Sequence, residues 1–278
     1  MAIAFSWAHA PRGSILGDGN CLEAAAFGPA PDAAPTIVLL HEGLGCIALW
    51  RDFPERLANA TGFGVLAFSR AGYGQSNPIP LPRPLDYMTR EARDALPVVL
   101  DAIGFRRGVL VGHSDGASIA AIYAGLFNDE RVKGLVLIAP HLFTEEPGLA
   151  SIAEAKRAYE TGDLKARLAK YHADVDAAFL GWSGAWLDPR FRTWNIESHV
   201  ERWRVPALVI QGVDDQYGTL KQVRAIEGRA PTSVETLILE HCGHAPQFEH
   251  PERTLDAISH FCKNLGSGLG FESSRPST

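Results

Sequence analysis

Ser114 sits at the centre of Gly112-His113-Ser114-Asp115-Gly116, a G-x-S-x-G pentapeptide whose glycines let a serine occupy a sharp turn with its hydroxyl projecting. A hydroxyl so placed becomes a nucleophile if a base can take its proton and a carboxylate can orient that base. In a chain of 278 residues with 27 glycines, composition alone yields about 0.14 such pentapeptides, so the setting decides. Val109-Leu110-Val111 precedes it as an apolar run suited to a buried strand, and the helix-forming run Ala117 to Ala124 follows. Strand, elbow and helix are the context this chemistry requires. Candidate acids are Asp214 and Asp215, which follow the apolar run Ala207–Gln211 and could equally cap the next helix. Candidate bases are His241, His244 and His250. His244 falls in a loop between the last strand and the last helix, where an imidazole can reach other loops, whereas His241 reads as part of the strand.

The elements that must carry these groups follow an alternating pattern. Pro35–His41, Gly64–Phe68, Gly108–Gly112, Val132–Ile138, Ala207–Gln211 and Val234–Leu239 are short, apolar and β-rich enough for buried parallel strands. An earlier pair of strands flanks the turn dipeptide Asp18-Gly19, with Cys21–Phe27 as the second. Helical spacing of apolar residues marks 48–60, 86–103, 117–126, 220–228 and 252–265 as crossover helices. This is an α/β chain. From 144 to 205 the rhythm stops, and roughly 60 residues replace the short loop expected between two strands. Residues 1–143 and 206–265 therefore read as one core domain and 144–205 as an inserted helical lid carrying Trp182, Trp186, Trp194 and Trp203. Residues 266–278 lack the apolar content to offset the entropy of ordering and read as a disordered tail.

Composition narrows the function. The chain has 26 basic and 32 acidic residues, a net charge of −6, and no long Lys/Arg run, so the footprint of a nucleic-acid or anionic-membrane binder is missing. Its apolar runs are far shorter than the roughly 18–20 residues that span a bilayer. No basic region precedes an apolar core at the N-terminus, so no secretory signal is read there. Cys21, Cys46, Cys242 and Cys262 fit neither a disulfide framework nor a zinc spacing, which suggests a reduced, cytoplasmic setting. The oligomeric state is not legible.

The chain resembles the α/β-hydrolase superfamily from about Ile37 to Phe261. Four motifs carry the resemblance in order: His41 to Gly45, Gly112 to Gly116, Gly212 to Asp215, and Gly243 to Pro246. It implies an eight-stranded, mostly parallel sheet flanked by helices with an inserted lid, a site at the strands' C-terminal edge, and chemistry through an acyl-enzyme with neither metal nor cofactor. The superfamily's G-x-x-D pattern implies Asp215 as the acid, with Asp214 the fallback, and its G-H-x-P pattern implies His244 as the base. His41-Glu42-Gly43-Leu44-Gly45 resembles the superfamily's His-Gly-x loop, which implies an oxyanion hole built from the backbone N–H groups of Gly43 and Asp115, with Leu44 the next candidate. Phe68 to Ser76 resembles the R-x-G-Y-G-x-S loop of lid-bearing members and reads as structural.

Two positions depart from the superfamily pattern. Glu42 replaces a glycine and Asp115 a small or apolar residue, and carboxylates near an oxyanion hole disfavour negative charge there unless paired. Either they brace the loops, with Arg70 as partner, or they hold a cationic group or the hydrolytic water. Trp182, Trp186 and His141 are expected to touch substrate alongside Glu42 and Leu44, and His113 to support the elbow. The aromatic lid favours a small-molecule, apolar, ester-like substrate. A serine esterase acting on a carboxylic ester, lactone or thioester is the main expectation. The alternatives are a C–C bond hydrolase of a vinylogous diketone acid, with Arg190 or Arg192 holding the anion, and a low-turnover binding protein. Serine at the elbow argues against epoxide hydrolases and haloalkane dehalogenases, which place aspartate there.

Overall fold

A computed structural model describes residues 4–17 and 19–266. Asp18 of the expected turn, the start of the N-terminus and residues 267–278 of the expected tail lie outside the described residues. The strands are β1 (Arg12–Gly17), β2 (Asn20–Phe27), β3 (Thr36–Leu40), β4 (Gly64–Phe68), β5 (Gly108–His113), β6 (Val132–Ile138), β7 (Ala207–Gly212) and β8 (Val234–Leu239). They form one eight-stranded sheet in the order β1-β2-β4-β3-β5-β6-β7-β8. β2 pairs antiparallel with β1 and β4, and every later pairing is parallel.

The central strands are buried on both faces, which is why they read as continuous apolar runs. Alternate residues serve opposite layers. Val38, Leu40 and Leu110 pack with Leu96, Val99 and the helix after Ser114, while Ile37, Leu39, Val109 and Val111 pack with Phe53, Leu57, Ile258 and Phe261. The helices are α1 (Phe53–Thr61), α2 (Tyr87–Arg90), α3 (Leu96–Ala102), α4 (Asp115–Leu126), α5 (Glu146–Thr161), α6 (Leu164–Leu168), α7 (Val175–Trp186), α8 (Glu197–Val200), α9 (Leu220–Arg229), α10 (Pro246–Glu249) and α11 (Pro251–Gly266). No helix among the described residues is long and apolar enough to cross a membrane.

One expected helix is interrupted and another changes pitch. The 48–60 stretch begins as a 3₁₀ turn over Ile47–Trp50, is interrupted at Arg51 with φ 54°, and resumes as α1. The 86–103 stretch runs through α2, a π turn over Glu91–Ala95 and α3. Pro97, which has no N–H to bond one turn back, accounts for the local change of pitch. Between β6 and β7 the chain inserts α5 to α8, with a 3₁₀ turn at Pro189–Thr193. Asp174 caps α7 through Ala177 N, Tyr159 stacks on Phe179 with ring centroids 3.9 Å apart, and the whole segment shares a core with one face of the sheet.

Candidate active site

Ser114 joins β5 to α4 at φ 53°, ψ −117°, a conformation that L-residues hold only under constraint. Its N–H is fixed by the Ile138 carbonyl at 2.9 Å. The flanking glycines are steric necessities. A Cβ on Gly112 would lie 2.2 Å from the Gly116 carbonyl oxygen, and one on Gly116 would lie 1.9 Å from the Leu40 carbonyl oxygen. The helix that follows is buried on nearly every side, so the serine is mounted on the rigid centre of the molecule.

Asp215 and His244 are brought together directly. His244 Nδ1 lies 2.8 Å from Asp215 Oδ2 and 2.9 Å from Oδ1. The carboxylate also accepts from Gln211 Nε2 at 2.8 Å, Tyr217 N at 2.8 Å and Gly218 N at 3.3 Å. Burial by itself would raise this carboxyl, but the His244 bond and charge, followed by the Tyr217 N–H, outweigh it and hold it at about 2. Asp214 is exposed, and its N–H is spent on the Cys242 carbonyl. Ser114 Oγ makes no hydrogen bond with His244 in this structure. The two groups share one cavity wall, and such contacts commonly close only around substrate. His241 and His250 are away from that wall, His250 Nε2 lying 3.2 Å from the His241 carbonyl.

The two unexpected carboxylates have different environments. Asp115 is fully buried beneath the elbow, where its carboxylate accepts from Tyr87 OH and from Trp186 Nε1 at 3.3 Å, with Arg70 Nη2 4.0 Å away. Burial pushes its carboxyl above the usual range, opposed first by Arg70. The Glu42 carboxylate faces His113 Nδ1 at 3.5 Å. Burial would raise it, but the hydrogen bond and charge of His113 hold it at about 2. His113 in turn donates through Nε2 to the His244 carbonyl at 2.7 Å, and Gln247 Nε2 lies 3.1 Å from its Nδ1.

The main chain of Glu42 is equally constrained. Its carbonyl accepts from Arg70 Nη2 at 2.9 Å and from His41 Nδ1 at 2.7 Å, while His41 Nε2 accepts from Arg70 N at 3.0 Å. A planar trans peptide with its C=O fixed in this way presents the following N–H, that of Gly43, on the opposite side. Asp115 N–H belongs to the first turn of α4, where no intrahelical acceptor exists.

A cavity of about 150 Å³ unites these groups. Every residue expected at the site except the buried Asp215 lines it: Ser114, His244, Glu42, Gly43, Leu44, Asp115, His141, Trp182 and Trp186. Trp194 stacks instead on Phe191 and Trp203 donates to the Ala121 carbonyl, so both belong to the packing. Arg190 and Arg192 pair outside the cavity with Asp188 and Glu146. Sequence reading missed Tyr217, Glu145, Gly148 and Ile152. Tyr217 follows the acid by two residues, and Gly148 and Ile152 share a face of α5 at a spacing of four, signals that were present but not distinctive.

A model described as an alpha/beta hydrolase family matches residues 37–257. Among curated proteins, the 2-hydroxy-6-oxononadienedioate/2-hydroxy-6-oxononatrienedioate hydrolase 1 of Dechloromonas aromatica is 26% identical over 257 residues, covering 81% of this chain and 87% of that protein. Epoxide hydrolase B of Mycobacterium tuberculosis is 33% identical over 121 residues, 44% of this chain and 33% of that protein. Among solved structures, a meta-cleavage product hydrolase from Pseudomonas fluorescens IP01 superposes with a TM-score of 0.69 at 19% identity, covering 90% of this chain and 97% of that one.

Proposed function

Since the chain belongs to the alpha/beta hydrolase family, we propose that it is a hydrolase whose nucleophile is Ser114, whose base is His244 and whose orienting acid is Asp215. The observation that carries this reading is the His244–Asp215 pair at 2.8 Å on the wall of the cavity that receives the Ser114 elbow. Ser114 Oγ attacks a carbonyl carbon of a small molecule as His244 takes its proton, and Asp215 stabilises the imidazolium. The N–H groups of Gly43 and Asp115 receive the developing oxyanion, each such donor typically supplying about 3–4 kcal/mol. The helices between β6 and β7 act as the lid. Water activated by His244 then releases the acid from the acyl-enzyme.

For the substrate, the relatives that match over four-fifths of the chain favour C–C bond hydrolysis of a vinylogous diketone acid over ester hydrolysis. Similarity to epoxide hydrolases covers under half of the chain, and a serine at the elbow counts against their chemistry. Ester hydrolysis stays as the second reading on one observation. Among the described residues Glu42 and Glu145 line the cavity while no Lys or Arg does, which suits a neutral substrate better than a dianion.

Labelling by a small fluorophosphonate, followed by intact mass, tests the nucleophile. One adduct on wild type and none on Ser114→Ala or His244→Ala is expected, and an adduct that persists on Ser114→Ala refutes the assignment. Turnover of 2-hydroxy-6-oxononadienedioate against 4-nitrophenyl butyrate then separates the two substrate readings.

A further inference from the structure

Buried histidines are normally satisfied, and in this protein three of them are. His41 bonds the Glu42 carbonyl and Arg70 N. His113 bonds the His244 carbonyl and Gln247. His172 accepts from Gly74 N and lies 3.1 Å from the Leu44 carbonyl. His141 is 5% exposed, yet neither of its ring nitrogens has a hydrogen-bond partner among the described residues. Neither nitrogen is sealed within the protein, and the residue lines the cavity that holds Ser114 and His244, so an unpaired ring nitrogen is open to a ligand there.

Its position is fixed rather than adventitious. The His141 carbonyl accepts from Ser118 Oγ at 2.6 Å, and the next N–H, that of Leu142, donates to Gln222 Oε1 at 2.8 Å. The ring meets Trp186 edge to face at 5.3 Å between centroids and stands 5.6 Å from the ring of His244. Burial, reinforced by repulsion from His244, lowers it to about 3, so the imidazole is neutral at working pH and offers one N–H and one lone pair. A neutral donor beside His244 polarises an oxygen without opposing the imidazolium that forms there during attack. An arginine in the same place would oppose it.

We propose that His141 is a catalytic hydrogen-bond donor to a second carbonyl oxygen of the substrate, conjugated through the substrate chain to the carbon that departs from the scissile carbonyl. This rests on the reading of Ser114 as nucleophile and deepens the C–C hydrolase reading. In the keto tautomer, Ser114 Oγ bonds to the scissile carbon and its proton passes to His244. Collapse of the tetrahedral intermediate breaks the C–C bond, and the electron pair moves along the conjugated chain to the second oxygen, which becomes an enolate held by the His141 N–H. His244 returns its proton to the departing fragment, and water hydrolyses the acyl-enzyme. His141 keeps its proton throughout. An alkyl ester has no second oxygen to place there, so the residue selects for substrates with a conjugated electron sink.

The test compares His141→Phe and His141→Gln with wild type on 2-hydroxy-6-oxononadienedioate and 4-nitrophenyl butyrate, with fluorophosphonate labelling of Ser114 as the control for folding. The Phe variant should lose about 100-fold in kcat on the dienedioate, the usual cost of removing one such donor. That loss should exceed its loss on the ester by at least tenfold, and the Gln variant, which restores an N–H donor, should regain at least tenfold on the dienedioate. In the Ser114→Ala background the bound dienedioate should absorb further to the red with His141 than with Phe at that position. Equal losses on both substrates, or an unaffected dienedioate rate, overturn the role of His141 alone. A wild type that labels and cleaves the ester but not the dienedioate overturns both this role and the C–C reading. One that does not label overturns the nucleophile itself.

Discussion

Replacing Asp215 by Asn removes a charge while keeping the local geometry, and the loss can be estimated from the structure. In the native protein, donors from His244, Gln211, Tyr217 and Gly218 converge on the carboxylate. An Asn oxygen in the place of Oδ1 would still accept from Tyr217 N, Gly218 N and His244 Nδ1. Its amide would then face Gln211, whose Oε1 has no partner, so a half-turn of the Gln211 amide restores that pairing at the expense of the longer Nε2 bonds to the Gly212 and Gly218 carbonyls. Folding should therefore survive. What disappears is the charge: holding a carboxyl at about 2 instead of 3.8 corresponds to roughly 2–3 kcal/mol in favour of the ionised form. His244 is the largest contributor to that preference, and the same attraction stabilises the imidazolium formed during attack. The expected loss is about 100-fold in the fluorophosphonate labelling rate and in kcat, rising toward ~10⁴-fold if the imidazole also adopts the wrong tautomer. Asp214→Asn should change neither rate by more than about twofold, because Asp214 is exposed and points no bond at the site. Labelling rates at pH 7, with thermal unfolding as a control, decide the matter. A folded Asp215→Asn protein within fivefold of wild type, or an Asp214→Asn protein that falls as far, would refute the reasoning.

Two further consequences concern stability. Tyr87→Phe removes the hydroxyl that bonds Asp115, leaving a fully buried carboxylate with one fewer partner, and should cost about 1–3 kcal/mol in urea unfolding; an unchanged midpoint would mean that Arg70 or water compensates. Asp215 and Glu42 are both held at about 2, below their ordinary 3.8 and 4.5, so they contribute stability that is complete above about pH 4.5 and is lost as the pH falls toward 2. Urea unfolding at pH 5, 4 and 3 should show this decline, and Glu42→Gln should begin less stable and decline less steeply. A flat profile across that window would exclude both carboxylates as contributors.

How far the sequence revealed the site depended on the range of the interactions. The elbow was legible because Gly112 and Gly116 answer a steric demand set within five residues, where backbone meets backbone at about 2 Å. The proposed acid and base stood out as motifs, but which aspartate faces His244 depends on the turn that puts Tyr217 N and Gly218 N on one oxygen of Asp215. Glu42 read as an electrostatic obstacle because only its side chain is visible in a sequence. Its structural importance lies equally in its carbonyl, which Arg70, 28 positions away, turns from the cavity. The helix expected over 86–103 is present from 87 to 102, but its π turn was not legible, because apolar spacing does not register the single missing N–H of Pro97. The partners of Asp115 were unreadable for a different reason. Trp186 is 71 positions away on an inserted element, and no local pattern encodes that contact.

That inserted element touches both proposed oxyanion donors. Trp182 and Trp186 lie one turn apart on α7 and so project from the same face. Trp182 covers Gly43 so closely that a Cβ there would fall 2.1 Å from its indole Nε1, while the Nε1 of Trp186 bonds both Tyr87 OH and the side chain of Asp115. The glycine at position 43 is thus required by α7 as well as by its own loop, and the carboxylate at position 115 is the group through which α7 holds the elbow. If α7 lifted away, Asp115 would lose a bond in a fully buried site and the Gly43 loop would lose the surface it packs on. On the proposed assignment of Gly43 and Asp115, the hole would be complete only while α7 is seated. The carboxylate that looked out of place beside the proposed oxyanion hole becomes intelligible, because its oxygens are engaged by Tyr87 and Trp186, which leaves its backbone N–H free for the proposed role.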